Sequence, residues 1–239
     1  MTALSWEGLL NVRDLGGHPT EDGCETRSGS VVRADSPRRL SDRGWESLVE
    51  HGVRTIVDLR WHSELDADPP RELPVEVVHI PLLGERGDSE DMTVVDAASS
   101  QHEAYLAMLE RFRPNFAAAL GAVAAAPEGG VLVHCQAGKD RTGLVVALLL
   151  RLAGVAPEAI AADYAASGPN LASVLDGWID QAPTEEERAR RRRTSETPYE
   201  GMLEVLRELE RRYGGARGYL LAGGASEDEL ERARARLRG

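Results

Sequence analysis

The stretch that decides the fold is Val131-Leu-Val-His-Cys-Gln-Ala-Gly-Lys-Asp-Arg-Thr-Gly143, and a second apolar run, Leu144 to Leu152, follows it. A short valine-rich run indicates a buried strand, and the longer leucine-rich run indicates a buried helix. The polar residues between them must form a tight loop, in which Gly138 removes side-chain bulk from the turn. The sequence therefore predicts a strand, a loop and a helix that begins near Thr142 and points its N-terminus into the loop.

The predicted loop combines an anion-binding site with a reactive thiol. Backbone N–H groups and the positive end of a helix dipole converge there, and Arg141 adds a planar cation suited to phosphate oxygens. An arginine and a helix N-terminus favour the thiolate of Cys135, which makes it a nucleophile. The alternative is an inert core cysteine. The arginine six positions after Cys135, with a glycine between them, favours the functional interpretation.

Composition and charge limit the class of protein. The chain has 239 residues and a net charge of −12, which argues against nucleic-acid binding through bulk charge. Neither a basic N-terminal signal nor an uninterrupted apolar run of about 18 residues is visible. We therefore expect a cytoplasmic protein without stable membrane insertion; export without a cleaved signal is the alternative. The cysteines, Cys24 and Cys135, are expected to be free, and Lys139 is the single lysine among 28 basic residues.

The remaining elements predict the fold class. Strands are expected at 31–33, 53–59 and 75–80, and residues 82–98 are expected to be an acidic loop. Buried β-branched strands alternating with helices favour an α/β fold with a central, mostly parallel sheet flanked by helices. We expect one domain, 1–239, with a core of about 1–167 and a helical C-terminal part of about 168–239. The expected helices are 41–52, 100–113, 114–126, 157–166, 170–182, 184–193, 198–213 and 227–237.

The run His134-Cys-Gln-Ala-Gly-Lys-Asp-Arg-Thr-Gly143 resembles the phosphate-binding loop of cysteine-dependent phosphatases, and in particular of the bacterial tyrosine and dual-specificity branch. Four further stretches resemble that family in the same order. The resemblance implies the cysteine-phosphatase fold, a phosphocysteine intermediate and no metal or other cofactor. It also implies a phosphorylated protein or a phosphoinositide as the substrate. The stretches are Asn11 to Gly17, Thr55 to Arg60, Ile160 to Ser167 and Tyr213 to Leu220.

The resemblance also assigns roles to the loop residues. Cys135 would attack phosphorus, and Arg141 would hold the phosphoryl oxygens. Thr142 would donate its hydroxyl to the sulfur, although an ordinary N-cap is a compatible interpretation. Lys139 is expected to add a second positive charge against the substrate, with a solvated lysine as the alternative. The residues expected to bind substrate are Gln136, Ala137, Gly138, Lys139, Asp140 and Arg141.

The general acid that protonates the leaving oxygen has two candidates. Asp140 lies in the loop itself, whereas Asp58 ends another strand, at the sheet edge where α/β sites form. Alternative roles are a hydrogen bond to loop amides for Asp140 and a strand-end ion pair with Arg60 for Asp58. The residues leave both candidates open, with a slight preference for Asp140. We expect Arg13 and Asp14 to brace the N-terminal turn.

Two other functions are compatible with a loop cysteine. A rhodanese-like sulfur transferase also uses one, although typically in a shorter loop without the arginine. A non-catalytic module that binds phosphorylated ligands would need the same cradle but no turnover. The intact pair of Cys135 and Arg141 favours the phosphatase.

Overall fold

The computed structural model describes residues 2–67, 75–85 and 90–238. The strands are β1 (Thr2–Ala3), β2 (Arg13–Asp14), β3 (Val31–Ala34), β4 (Val53–Asp58), β5 (Glu76–His79) and β6 (Gly130–His134). The helices are α1 (Asp42–Glu50), α2 (His62–Asp66), α3 (Glu90–Asp96), α4 (Gln101–Arg111), α5 (Arg113–Ala125), α6 (Asp140–Leu152), α7 (Pro157–Ala165), α8 (Ser167–Asp180), α9 (Glu185–Ser195), α10 (Tyr199–Tyr213), α11 (Ala216–Ala222) and α12 (Glu227–Arg238).

These strands form one mixed sheet in the order β1-β2-β3-β6-β4-β5. The neighbours β3, β6, β4 and β5 run parallel, and β1 and β2 add an antiparallel edge. The predicted α/β fold with a mostly parallel, helix-flanked sheet is therefore confirmed. Strand β6 lies between β3 and β4, and His134 is in register with both Ala34 and Asp58. The carboxyl ends of three strands thus meet beside Cys135.

Alternating residues of the central strands face two hydrophobic cores, as the pleat of a strand requires. Val131 and Val133 pack in the larger core with α5, α6 and the C-terminal helices. Leu132 packs on the other face with Trp45 and Leu48 of α1. Helix α6 is buried at 11 of its 13 residues. Because each buried leucine contributes about 1.5–3 kcal/mol, the N-terminus of this helix is firmly held.

Four local expectations were wrong or incomplete. Helix α6 begins at Asp140 with Lys139 as its N-cap, two residues before the predicted start, so Thr142 is not the cap. The segment 82–98 contains α3, whose Met92 and Val95 are buried; acidic neighbours concealed this short apolar face, and 86–89 lie outside the described residues. Arg13 and Asp14 form a strand rather than only a turn. Helix α11 was not predicted.

None of the described helices is long and apolar enough to cross a membrane.

Candidate active site

The loop between β6 and α6 is anchored from behind by its carbonyl groups. The Gln136 carbonyl accepts the Ser36 N–H at 3.1 Å. The Asn11 side-chain amide donates to the carbonyls of Ala137 and Gly138, each at 3.1 Å. Arg33 Nη2 also donates to the Gly138 carbonyl, at 2.7 Å. Three successive carbonyl groups therefore point toward β3 and the segment before β2.

This arrangement directs the following N–H groups forward. In a planar trans peptide the C=O and the next N–H point in opposite directions, and the described chain contains no cis peptide bond. The N–H groups of Ala137, Gly138 and Lys139 thus face away from the anchoring side chains. They donate no hydrogen bond to residues within the described ranges. These amides, together with the N-terminus of α6, form a cradle for an anion.

Gly138 is required by the close approach of the loop to β3. Its φ of +64° lies in the left-handed region, and a Cβ there would lie 2.3 Å from the Ala34 carbonyl oxygen. Only glycine meets both conditions without strain. The sequence-based role of Gly138 as the residue that permits the turn therefore has a specific physical cause.

Arg141 is held by a carboxylate and an aromatic ring. Its Nη1 and Nη2 donate to Glu64 Oε2 and Oε1 at 2.6 and 2.8 Å, and the guanidinium lies 4.5 Å from the centre of the Trp61 ring. Burial alone would lower the pKa of Arg141, but the hydrogen bonds to Glu64 and the charges of Cys135 and Glu64 raise it. The clamp fixes a permanently charged fork beside the loop.

Asp140 presents one free oxygen. Its Oδ1 accepts hydrogen bonds from Gln101 Nε2 at 2.9 Å and from the hydroxyl of Tyr105, and Lys139 Nζ lies 3.4 Å from the same oxygen. Asp140 Oδ2 accepts none from the part of the chain that the structure describes. The carboxyl group is a third exposed and lines the cavity in front of the loop, so Oδ2 is the oxygen available to a bound molecule.

Asp58 lies in a very different environment. It is 1% exposed and binds Arg60 through both oxygens, with Nη2 to Oδ2 at 2.7 Å and Nε to Oδ1 at 3.0 Å. His134 Nε2 lies 3.5 Å from Oδ2. Burial would raise the pKa of Asp58, but His134 and Arg60 lower it below its ordinary value. The ion pair with Arg60 matches the alternative role considered for this residue.

The side chains of Lys139 and Thr142 are both buried. Lys139 is 2% exposed, and its ammonium donates to the backbone carbonyls of Thr194 and Glu196, the latter at 3.3 Å. Thr142 is fully buried, and its hydroxyl has no hydrogen-bond partner among the described residues. Contact of Lys139 with substrate and of Thr142 with the sulfur stay predictions.

A cavity of about 670 Å³ opens in front of Asp140 and Arg141, within the range of about 300–1,000 Å³ usual for ligand sites. One wall is apolar and comes from Trp61, which precedes α2, from α3 and α4, and from the segment after β5. The other comes from α9 and the residues that follow it. The apolar wall contains Trp61, Leu83, Met92, Val95 and Met108, and the polar one contains Arg190, Arg193, Thr194 and Glu196.

The sequence missed the residues that hold the site from a distance. Glu64, Gln101 and Tyr105 bind the loop residues from other helices, and no local pattern marks them. Asn11 belongs to a stretch that resembles the family, and this resemblance was the one indication in the sequence of its role. Nothing in the sequence indicated a role for Arg33 beyond its place in a predicted strand.

Comparison with known proteins decides the class. A model of the tyrosine phosphatase family matches residues 4–239. The chain belongs to the tyrosine phosphatase family. It is thus a phosphoric monoester hydrolase of the protein-tyrosine-phosphatase type, and the resemblance seen in the sequence is confirmed. The family also accounts for the cradle, since a phosphatase must hold a phosphoryl group.

Three bacterial relatives are similar to this phosphatase over much of their length. A tyrosine-protein phosphatase of Nostoc commune is 34% identical, covering 87% of this chain and 74% of its own. The triple specificity protein phosphatase PtpB of Mycobacterium tuberculosis is 30% identical across the whole of both chains. A putative tyrosine-protein phosphatase of Cupriavidus necator is 31% identical over 67% of this chain and 61% of its own.

Proposed function

We propose that this phosphatase hydrolyses phosphotyrosine through a phosphocysteine intermediate on Cys135. The observation that carries the proposal is the cradle. The cysteine directly follows the central strand, forward-facing amides come next, and a clamped arginine lies in the first turn of the next helix. Preorganised donors of this kind stabilise the charge on the equatorial oxygens of a phosphoryl group in transfer.

In the first step the Cys135 thiolate attacks phosphorus in line with the leaving oxygen. The S–P bond forms as the P–O bond to the substrate breaks, and the electron pair of that bond goes to the leaving oxygen. Loop amides and Arg141 hold the other three oxygens. A proton from Asp140 Oδ2 neutralises the leaving oxygen, which is the role of a general acid.

The contacts favour Asp140 over Asp58 as this acid. Asp140 keeps one oxygen free at the cavity, whereas Asp58 is enclosed and bound through both oxygens to Arg60. The lowered pKa of Asp58 also disfavours the protonated form that a general acid needs. We therefore assign the role of general acid to Asp140. Asp58 orients Arg60 and His134 at the end of the strand.

In the second step water replaces the cysteine. Asp140, now ionised, accepts a proton from the water as its oxygen attacks phosphorus. The S–P bond breaks, its electron pair returns to sulfur, and inorganic phosphate leaves. The hydrogen bonds from Gln101 and Tyr105 to Asp140 Oδ1 hold the carboxyl group in place, so that Oδ2 can serve in both steps.

The cavity walls favour an aromatic phosphate as the main substrate. Trp61, Met92, Val95 and Met108 offer apolar surface to a tyrosine ring, and aromatic rings gain much of their binding energy from such burial. Phosphoserine, phosphothreonine and phosphoinositides form a second substrate class. Its support is the mycobacterial relative, which is a triple specificity protein phosphatase.

The test is turnover of a phosphotyrosyl peptide and of p-nitrophenyl phosphate in the presence of a metal chelator. We expect both to be hydrolysed, and Cys135→Ser to abolish hydrolysis while phosphate still binds. Turnover of a phosphoseryl peptide and of a phosphoinositide, measured in the same assay, compares the second substrate class with phosphotyrosine. Turnover of thiosulfate without turnover of any phosphate ester would favour a sulfur transferase, and binding without turnover would favour a non-catalytic module.

A further inference from the structure

Two buried arginines behind the loop share one carboxylate. Arg13 Nε lies 3.1 Å from Asp163 Oδ1, and Arg33 Nη1 binds Asp163 Oδ2. The three side chains are at most 1% exposed. The network therefore places two guanidinium groups in the interior behind the loop, and the nearby carboxylate of Asp35 also interacts with Arg13.

Both arginines reach the same peptide groups of the loop. Arg33 donates to the Gly138 carbonyl directly. Arg13 donates to the side-chain oxygen of Asn11, whose amide donates to the carbonyls of Ala137 and Gly138. A donor on a carbonyl polarises the peptide and strengthens the N–H at its other end. That N–H faces the phosphate cradle.

Several other titratable groups lie near the loop and the network. Burial and the neighbouring Arg33 lower the pKa of Arg13 to about 10, so it is still charged at neutral pH. Burial raises the pKa of Asp35, and its carboxylate is occupied by the backbone N–H groups of Leu10 and Asn11. Burial lowers the pKa of His18. The remaining groups pair among themselves: Arg141 with Glu64, Arg60 and His134 with Asp58, and Lys139 with Asp140.

We propose that Arg33 is a positioning residue for the phosphatase reaction. With Arg13 and Asp163 it fixes the loop from behind and brings a buried positive charge that favours both the Cys135 thiolate and the bound phosphoryl group. This inference rests on the proposed role of Cys135 as the nucleophile.

The experiment measures the charge and the geometry separately, in a Cys24→Ser background so that only Cys135 reacts. Arg33→Met removes the charge but leaves Arg13 and Asp163 as a neutral pair. We expect the midpoint pH for alkylation of Cys135 by iodoacetamide to rise by about one unit. We also expect inhibition by inorganic phosphate to weaken about tenfold, because polarised amides bind anions more strongly.

Arg33→Lys keeps the charge and loses the planar fork that joins Asp163 to Gly138. We expect an alkylation midpoint near that of the unchanged enzyme, with kcat lowered about tenfold by the misplaced loop. Tyr219→Phe is the matched control, since it removes a buried hydrogen bond of 2.7 Å to the Leu109 carbonyl away from the loop. It should lower Tm and leave the midpoint unchanged.

An unchanged midpoint and unchanged phosphate inhibition in Arg33→Met, with only a lower Tm, would overturn the inference. If Arg33→Met does not fold, Arg33→Lys decides, and unchanged kcat and phosphate inhibition would overturn it equally. Absence of turnover in the unchanged enzyme would instead overturn the proposed function.

Discussion

Asp140 and Asp58 show at the scale of single residues how environment divides roles between identical groups. We predict that Asp140→Asn lowers kcat about 10²-fold or more for poor leaving groups and much less for good ones, because only poor ones need a proton. Asp58→Asn leaves Arg60 buried without its carboxylate. It should lower kcat by a similar factor for all substrates, and it should also lower Tm. The measurement is kcat across aryl phosphates of graded leaving-group pKa. If Asp140→Asn lowered kcat by the same factor for all leaving groups, Asp140 would not be the general acid.

Glu64 tests how far the reaction depends on the orientation of Arg141. Glu64→Gln keeps the shape but removes the charge that accepts both guanidinium donors. We predict a loss in kcat/KM of about tenfold from imperfect positioning, with Tm little changed. Glu204→Gln on the exposed face of α10, where Glu204 binds only Arg207 among the described residues, is the control and should leave kcat/KM unchanged. Equal kinetics for the two variants would contradict the clamp.

At the scale of elements, the loop lysine ties α9 to the start of α6. Lys139 donates to two carbonyls at the end of α9. A positive charge near the partially negative C-terminal end of a helix is stabilising. We predict that Lys139→Met increases amide hydrogen exchange in residues 185–197 and leaves the sheet protected. Arg192→Met is a control on the same helix, because its side chain is exposed. Unchanged exchange in Lys139→Met would show that the tie does not hold the helix.

The sequence was informative where contacts are local and silent where they cross the fold. The strand, loop and helix around Cys135 follow from neighbouring residues, since periodicity and glycine placement act within a few positions. The hydrogen bonds from Asn11 to Ala137 and from Arg141 to Glu64 join residues 126 and 77 positions apart. Sheet order brings these pairs together, and no local pattern encodes it. The contacts of Lys139 with the carbonyls of Thr194 and Glu196 could not be predicted for the same reason, because these partners lie beyond α8.

At the scale of the whole molecule, buried carboxylates make stability depend on pH. Burial raises the pKa of Asp163 and Asp58, but their cationic partners lower it overall, so the unfolded chain takes up protons more readily. Their stabilisation is present above the ordinary Asp pKa of about 3.9 and is lost as the pH falls below it. Asp35 has a raised pKa in the folded protein, so its protonation favours the folded state as the pH falls.

We predict that Tm begins to fall below about pH 6.5, because burial lowers the pKa of His18 and His134 and only the unfolded chain then takes up their protons, and that it falls more steeply below about pH 4. The larger core joins the sheet to α10, α11 and α12, so the loss should occur in a single transition, as expected for one domain. Calorimetry between pH 7 and 3 measures both. A Tm that rises on acidification would contradict the ion pairs, and two separate transitions would contradict the single domain.

The central claim is that Cys135 carries the phosphoryl group. Rapid acid quench during turnover of a phosphotyrosyl peptide, followed by mass spectrometry of the protein, tests it directly. We expect one added phosphoryl group on the peptide that contains Cys135. We also expect more of this adduct in Asp140→Asn with a good leaving group, because water attack is slowed, and none in Cys135→Ser. Turnover without any phosphorylated Cys135, in both the unchanged enzyme and Asp140→Asn, would contradict the role of Cys135 as the nucleophile.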